Sequence, residues 1–314
     1  MKTVCIGILA AFFSSFALLM IILPVLKRLK AGQYILGYVK EHKNKGGTPT
    51  MGGLAFISAL LIVTMCFYGF KDSRINLTLA VVAGFTIVGF LDDFLKIYRK
   101  ENEGLKPYQK IIFQVAIAAI AAVYCYLNEI YLVNIPFGQG RCFNIGWGII
   151  PFVLFIFLAT VNCVNLTDGL DGLAGGTSLA YLTVFGIMLA LQKSGFSLMC
   201  FIGAGAVAAF LIFNSNKASI FMGDTGSLAL GGLISCLSVF SGNSLYIPII
   251  GIMFVVSGIS VIVQVIYYKR TRRRVFLMAP IHHHFQMKGY SECKISYAYS
   301  LITALAGIFC TVFV

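Results

Sequence analysis

Two aspartates stand side by side, Asp92-Asp93, directly after the apolar run Ile87-Val88-Gly89-Phe90-Leu91. Adjacent carboxylates at the end of an apolar segment are costly: roughly 2.5–3.5 kcal/mol per charge at a bilayer centre, less at its interface. They also repel one another unless a cation intervenes. A divalent metal, or the nearby Lys96, Arg99 and Lys100, would relieve that; a solvated helix end is the plainer reading. A second acidic run is Asn162-Cys163-Val164-Asn165-Leu166-Thr167-Asp168-Gly169-Leu170-Asp171-Gly172, which contains no Lys or Arg. Asp168 and Asp171 are three apart, so one helical turn would set them on one face. The glycines permit positive φ and close backbone approach. Such a loop offers carboxylates, amides and N–H groups to a nucleotide or a metal, or is an ordinary Gly-rich turn.

Phe221-Met222-Gly223-Asp224-Thr225-Gly226-Ser227 opens another apolar segment. An aspartate just ahead of a helix N-terminus can hold Mg²⁺ while the helix N–H groups meet phosphate, or can serve as a plain N-cap. Asn214 lies on the same connection, and Phe221 has the ring to stack on a base. Met278-Ala279-Pro280-Ile281-His282-His283-His284-Phe285 holds three of the four histidines. Three successive side chains cannot converge on one small ion, so phosphate hydrogen bonding or proton transfer is the better use. Lys45-Gly46-Gly47-Thr48-Pro49-Thr50-Met51-Gly52-Gly53 lacks the order of a Walker loop and reads as a basic lip or a binding site. Together these connections would supply Asp, Asn, His, Lys and Gly to one place, the set that phosphoryl transfer needs.

The elements that position these residues are membrane helices. The chain has 314 residues, 59% hydrophobic and 11% charged, with a mean hydropathy of +0.90. Soluble domains carry about 25% charged residues, and surface-to-volume scaling forbids burying so apolar a chain in water. Ten segments are apolar enough to span, at about 20 residues each: 4–26, 52–70, 76–92, 111–127, 147–164, 177–192, 197–213, 225–241, 246–268 and 295–314. The first is too long for a cleaved signal core. The connections after odd-numbered helices hold 19 of the 24 Lys and Arg, which puts them in the cytoplasm and both termini outside. The +13 formal charge is thus topological, and no nucleic-acid partner is implied. Nine of the eleven acidic residues fall on the same side; topology does not require that, so chemistry is the better cause. Of nine cysteines, Cys5, Cys66, Cys125, Cys200, Cys236 and Cys310 lie in apolar runs and read as small buried hydrophobes. No repeat or soluble domain is evident; residues 1–314 read as one polytopic domain.

Five stretches resemble the phospho-N-acetylmuramoyl-pentapeptide transferase family of bacterial cell-wall synthesis, within the polyprenyl-phosphate N-acetylhexosamine-1-phosphate transferases. They are Gly47–Gly53, Leu91–Lys96, Asn165–Gly176, Phe221–Gly232 and Met278–Phe285, in family order over about three quarters of the chain. The resemblance implies an all-α integral membrane bundle of about ten helices, with both termini extracytoplasmic and an active site in cytoplasmic loops of the bacterial inner membrane. It implies transfer of phospho-MurNAc-pentapeptide from UDP-MurNAc-pentapeptide to undecaprenyl phosphate, giving lipid I and UMP, with Mg²⁺. By the same resemblance Asp224 would hold the metal, and Asp92 and Asp93 would handle the lipid phosphate or its proton. Asn165, Asp168, Gly169, Leu170, Asp171 and Phe221 would bind uridine. Lys45, Thr50, Asn162, Asn214, Gln264 and His283 would line the phosphate and sugar region, with His282 and His284 beside them. The partners would be the two substrates and the lipid bilayer; a homodimer is left open. Ser257 stands where many relatives carry Glu, Lys217 where Pro is common, and Ala298 where Arg is expected. The rival superfamily reading is a UDP-GlcNAc enzyme, against which the histidine motif argues. A transporter would need polar residues at mid-membrane, and these spans hold almost no charge.

Overall fold

The computed structural model describes residues 1–29, 47–101, 103–138 and 140–313. Helices dominate: α1 (Lys2–Arg28), α2 (Gly53–Tyr68), α3 (Ser73–Arg99), α4 (Pro107–Leu127), α5 (Ile149–Thr167), α6 (Leu173–Leu191), α7 (Ser197–Asn214), α8 (Gly223–Phe240), α9 (Ile247–Ile250), α10 (Ile252–Thr271), α11 (Ile281–Met287) and α12 (Glu292–Thr311). Among the described residues, nine helices are long and apolar enough to cross a membrane, and α2 is a shorter apolar one. An antiparallel hairpin, β1 (Leu132–Asn134) with β2 (Cys142–Asn144), interrupts the otherwise all-α chain, with Val133 opposite Phe143.

The core is built around α8, in which every residue from Thr225 to Phe240 is buried. With lipid outside, burial of apolar area does not drive helices together, so close packing of small residues must. Helix α8 supplies them: a Cβ on Gly231 would fall 2.5 Å from the Val161 Cα of α5, and one on Gly226 2.9 Å from the Gly53 Cα of α2. Helix α3 packs along α8 as well, bringing Phe85 against Gly232. The outer helices keep apolar side chains exposed, among them Leu9, Phe13 and Ile21 of α1 and Ile259, Ile262 and Ile266 of α10. That surface suits hydrocarbon, where only closed backbone hydrogen bonding survives.

Helices α1 and α7 run parallel: Ser15 donates to the Ala206 carbonyl at 2.9 Å, and Phe16 meets Phe213 at 5.4 Å. The start of α1 therefore lies at the opposite end of the bundle from the C-terminus of α7. The ring of Phe137, in the hairpin, meets Phe309 of α12 and Phe313 just beyond it.

Four expectations change. Helix α3 runs on to Arg99, so Asp92 and Asp93 sit inside its last turns rather than ending it. The expected ninth span breaks at Gly251 into α9 and α10, because Pro248 fits only a first turn and Gly251 is a weak helix former. Asp168 to Gly172 forms a non-helical turn, so Asp168 and Asp171 do not share a helix face. All nine cysteines are free, but Cys5 and Cys66 are exposed; spans that face lipid need not bury their apolar residues.

Candidate active site

Three carboxylates converge at one end of the bundle. Asp92 and Asp93 come from the last turns of α3, and Asp224 from the first turn of α8; one oxygen of each lies within 4.8 Å of the others. Asp224 was expected just ahead of its helix, but Met222 is the N-cap and Asp224 is the second helical residue. The three carboxylates are not equivalent. Asp93 accepts from the Asp224 N–H at 3.2 Å, the Thr225 N–H at 3.0 Å and the Thr225 hydroxyl at 2.7 Å. Both its oxygens are thus spent on the orphan donors and positive end of α8, riveting α3 to α8. Asp92 accepts from the Leu105 N–H at 2.9 Å and pairs with Lys96 at 2.6 Å and Lys110 at 3.3 Å. Asp224 Oδ2 meets Lys110 at 2.5 Å and Lys96 at 3.2 Å, while its Oδ1 accepts from Asn165 Nδ2 at 2.8 Å. Asn165 also donates to Ser227 Oγ at 2.8 Å.

The three carboxylates and two ammoniums sum to a formal charge of −1. The donor set is all oxygen, which suits a hard divalent cation, and such ions accept one or two carboxylates plus substrate oxygens. Asp224 and Asp92 present oxygens to such an ion; Asp93 is committed to helix N–H groups. The sequence motifs do not single out Lys110, whose charge enters the sequence reading only through the Lys and Arg asymmetry. Its signal was local: it sits at the first turn of α4, where the helix dipole disfavours a cation and no acid accompanies it.

The α5–α6 turn stands beside this cluster. It is fixed from three sides: Gly172 N–H donates to Asn214 Oδ1 at 3.0 Å, Ala218 N–H to Asp171 Oδ2 at 3.0 Å, and Asp171 N–H to Glu292 Oε2 at 2.9 Å. Leu170 is buried against Leu173, Ile295 and Tyr299. Burial, with Asp224 and Asp93 adding repulsion, pushes Asp168 up to about 8. Phe221 is half-buried and is held between Pro49 and Gly52 by backbone hydrogen bonds of 2.8 Å each. Thr50 is buried with its hydroxyl over Gly223, where an added Cβ would come within 2.7 Å.

The histidines divide as the spacing argument expected. The His283 Nε2 reaches over Gly169, where a Cβ would come within 3.0 Å, and His282 crowds the same backbone. His282 is fully buried, and burial next to His283 holds it well below the usual histidine range. His284 faces elsewhere and accepts from the Leu277 N–H at 3.1 Å. Gln264 is occupied likewise: it accepts from Val275 and Phe276 N–H and donates to the Phe276 carbonyl. Asn162, three residues before Asn165, pairs with Gln114 at 2.7 Å. Ser257 is buried with its hydroxyl 3.4 Å from Tyr299. Lys217 adopts a φ of +72°, which the ring of proline forbids, so the turn before α8 takes a path a proline there could not. Lys45 lies outside the described residues.

Glycosyl transferase family 4 matches residues 74–242. The chain is 43% identical over 309 residues to a phospho-N-acetylmuramoyl-pentapeptide-transferase of Clostridium perfringens (strain 13 / Type A), covering 98% of this chain and 96% of that protein. It is 41% identical over 319 residues to that of Bacillus subtilis (strain 168), covering 98% of each. The protein of the same name from Acetivibrio thermocellus is 40% identical over 303 residues, with 94% and 91% covered.

Proposed function

The chain belongs to glycosyl transferase family 4, among its phospho-N-acetylmuramoyl-pentapeptide-transferases, and on that premise we propose that it moves phospho-MurNAc-pentapeptide from UDP-MurNAc-pentapeptide to undecaprenyl phosphate, releasing UMP and leaving lipid I. The observation that carries this reading is the convergence of Asp92, Asp93 and Asp224 with Lys96 and Lys110 at one end of a membrane bundle. The charge asymmetry puts that end in the cytoplasm and both termini outside, as a soluble nucleotide sugar and a membrane-anchored phosphate require. The protein then acts in the bacterial cytoplasmic membrane as one multi-pass domain.

Mg²⁺ is the hard cation that the cluster fits, held by Asp224 with Asp92; when bound it would supply charge neutralisation to the pyrophosphate. The chain's residues do the rest. Lys96 and Lys110 swing from their carboxylates to the phosphate oxygens. Asn165 keeps Asp224 in place, and Asp93 keeps α3 and α8 in register. Uracil lies on the Asp168–Asp171 turn, stacked by Phe221, with Thr50, Asn162 and Asn214 shaping the walls and His283 steadying the pyrophosphate. Asp92 orients the lipid phosphate and takes any residual proton. An oxygen of that phosphate forms a bond to the β-phosphorus, the bond from β-phosphorus to the bridging oxygen breaks, and UMP leaves with the electron pair. Positioning and charge neutralisation suffice for that in-line step. Gln264 and His284 support the 275–277 backbone rather than substrate.

The test is UMP release from UDP-MurNAc-pentapeptide and from UDP-GlcNAc, each with and without Mg²⁺ and undecaprenyl phosphate. Release should need the muramoyl substrate, the lipid and the metal together. Preference for UDP-GlcNAc would reassign the substrate. A stoichiometric UMP burst without lipid, with sugar phosphate trapped on an aspartate, would overturn the one-step route.

A further inference from the structure

The segment that carries the histidine motif also holds features that the transfer does not use. Helix α10 ends at Arg272, whose left-handed backbone, φ +56°, turns the chain sharply. The chain then doubles back: Gln264, about two turns up α10, accepts from the Val275 and Phe276 N–H groups. Lys269, Arg270, Arg272, Arg273 and Arg274 crowd this reversal, all exposed. No Asp or Glu occurs between Asp224 and Glu292. Among the described residues none of the five pairs with a carboxylate.

Charge asymmetry across a membrane accounts for basic residues here, but not for the apolar ones beside them. Val275, Leu277, Phe285, Met287 and Tyr290 lie beyond the span and are 37–56% exposed. Contacts join them to the cations. Arg274 donates to the Leu277 carbonyl at 3.2 Å, and the Leu277 N–H donates to His284 Nδ1 at 3.1 Å. Phe285 meets Tyr290 at 6.1 Å, and Lys294 stands 5.1 Å from the Tyr290 ring centre. The patch continues the lipid-facing side of α10, where Ile262, Ile266 and Tyr267 are exposed. In water, apolar residues gathered like this are a liability. An apolar patch ringed by Lys and Arg, running on from a lipid-facing span, suits the headgroup region of an anionic bilayer.

We propose that residues 269–290 form an interfacial apron whose partner is the anionic phospholipid of the cytoplasmic leaflet, its cations meeting phosphate and its apolar side chains entering the acyl boundary. Leu277 also holds His284, the neighbour of the two histidines that crowd Gly169. The leaflet therefore steadies the histidine motif against the α5–α6 turn, and turnover depends on anionic lipid. That effect on turnover rests on the transferase reading above; the docking itself does not.

The chain has one tryptophan, Trp147, which is exposed between β2 and α5. Trp147→Phe with Leu277→Trp therefore leaves a single fluorescent reporter in the apron; Val275→Trp serves if that variant does not fold. Full-length protein is placed in vesicles of phosphatidylcholine mixed with phosphatidylglycerol, one or the other lipid brominated on its acyl chains. Brominated phosphatidylglycerol should quench the reporter more than the same fraction of brominated phosphatidylcholine. That preference should fade as salt rises from about 0.1 M to about 1 M. Arg270→Gln, Arg272→Gln and Arg273→Gln together should abolish it, since each Lys or Arg near an anionic surface changes affinity about fivefold. Equal quenching by the two lipids would overturn the anionic partner. No quenching by either would leave the apron in water and overturn the docking, and a reporter shielded only as protein concentration rises would give the surface to a second copy. UMP release by wild type should be higher with phosphatidylglycerol than in phosphatidylcholine alone, and the triple variant should show no such difference. Docking without that dependence would overturn the steadying of the histidine motif. Absence of UMP release in every vesicle would refute the transferase reading instead, leaving the quenching result to stand by itself.

Discussion

Asp224→Asn separates what the acidic cluster does for the fold from what it does for transfer. The substitution keeps shape and the Asn165 hydrogen bond but removes one negative charge. Two attractions are lost, to Lys110 at 2.5 Å and Lys96 at 3.2 Å. Two repulsions are also lost, to Asp92 and Asp93, whose oxygens lie within 4.8 Å. A unit pair at 4 Å amounts to about 4 kcal/mol at an effective dielectric of 20; the two ammoniums lie closer than that and outweigh the repulsions, so a net attraction is lost, offset in part because a partly desolvated charge is removed and because both lysines keep Asp92 as a partner. The expected loss of stability is therefore that of an ordinary substitution, about 1–3 kcal/mol. A bound dication has no such offset, since every carboxylate attracts it and the migrating phosphoryl charge depends on it. Loss of one preorganised charge at such a centre costs about 10²–10³ in turnover. UMP release in detergent across a Mg²⁺ titration, alongside a thermal melt, should show turnover down by about a thousandfold, a higher Mg²⁺ requirement and a modest change in Tm. Near-normal turnover with unchanged Mg²⁺ dependence would refute the metal assignment. Collapse of the fold would show that the ion pairs hold the bundle rather than serve the site.

Lys110→Met should lower turnover about 100-fold and also lower the Mg²⁺ concentration giving half-maximal rate, because an ammonium no longer occupies Asp224; unchanged turnover would make Lys110 a mere counter-ion. Phe221→Ala should weaken UDP-sugar binding by about 1–3 kcal/mol, the worth of one stacked base, and leave lipid-phosphate binding alone; isothermal titration with each substrate checks it, and equal losses would count against stacking. Asp168, pushed up to about 8 from its ordinary 3.8, binds its proton more tightly folded than unfolded. Its contribution to stability should therefore fall as pH rises from about 4 to about 8 and level off above. Melts across that range should slope less in Asp168→Asn, and parallel slopes would place the proton elsewhere.

Run length and polarity decided much of this protein before any packing. Ten apolar segments call for a membrane, because hydrocarbon cannot hydrogen-bond a backbone and punishes charge, and their Lys and Arg asymmetry carries the proposed orientation. The same penalty made Asp92, Asp93, Asp168, Asp171 and Asp224 conspicuous: a carboxylate beside an apolar run needs a reason. What those carboxylates touch was not legible. Lys110 meets Asp224 across 114 residues, and Glu292 meets the Asp171 backbone across 121. Hydropathy is a property along one chain, while the lateral order of helices is set by where small residues such as Gly53, Gly226 and Gly231 let backbones approach. Only that packing brings the ends of α3, α4, α5 and α8 to one point. Only that packing assigns unlike work to like residues: Asp93 to the N-terminus of α8, Asp92 and Asp224 to the cations, Gln264 to a loop backbone, and, of three consecutive histidines, His282 and His283 to Gly169 but His284 to the Leu277 backbone.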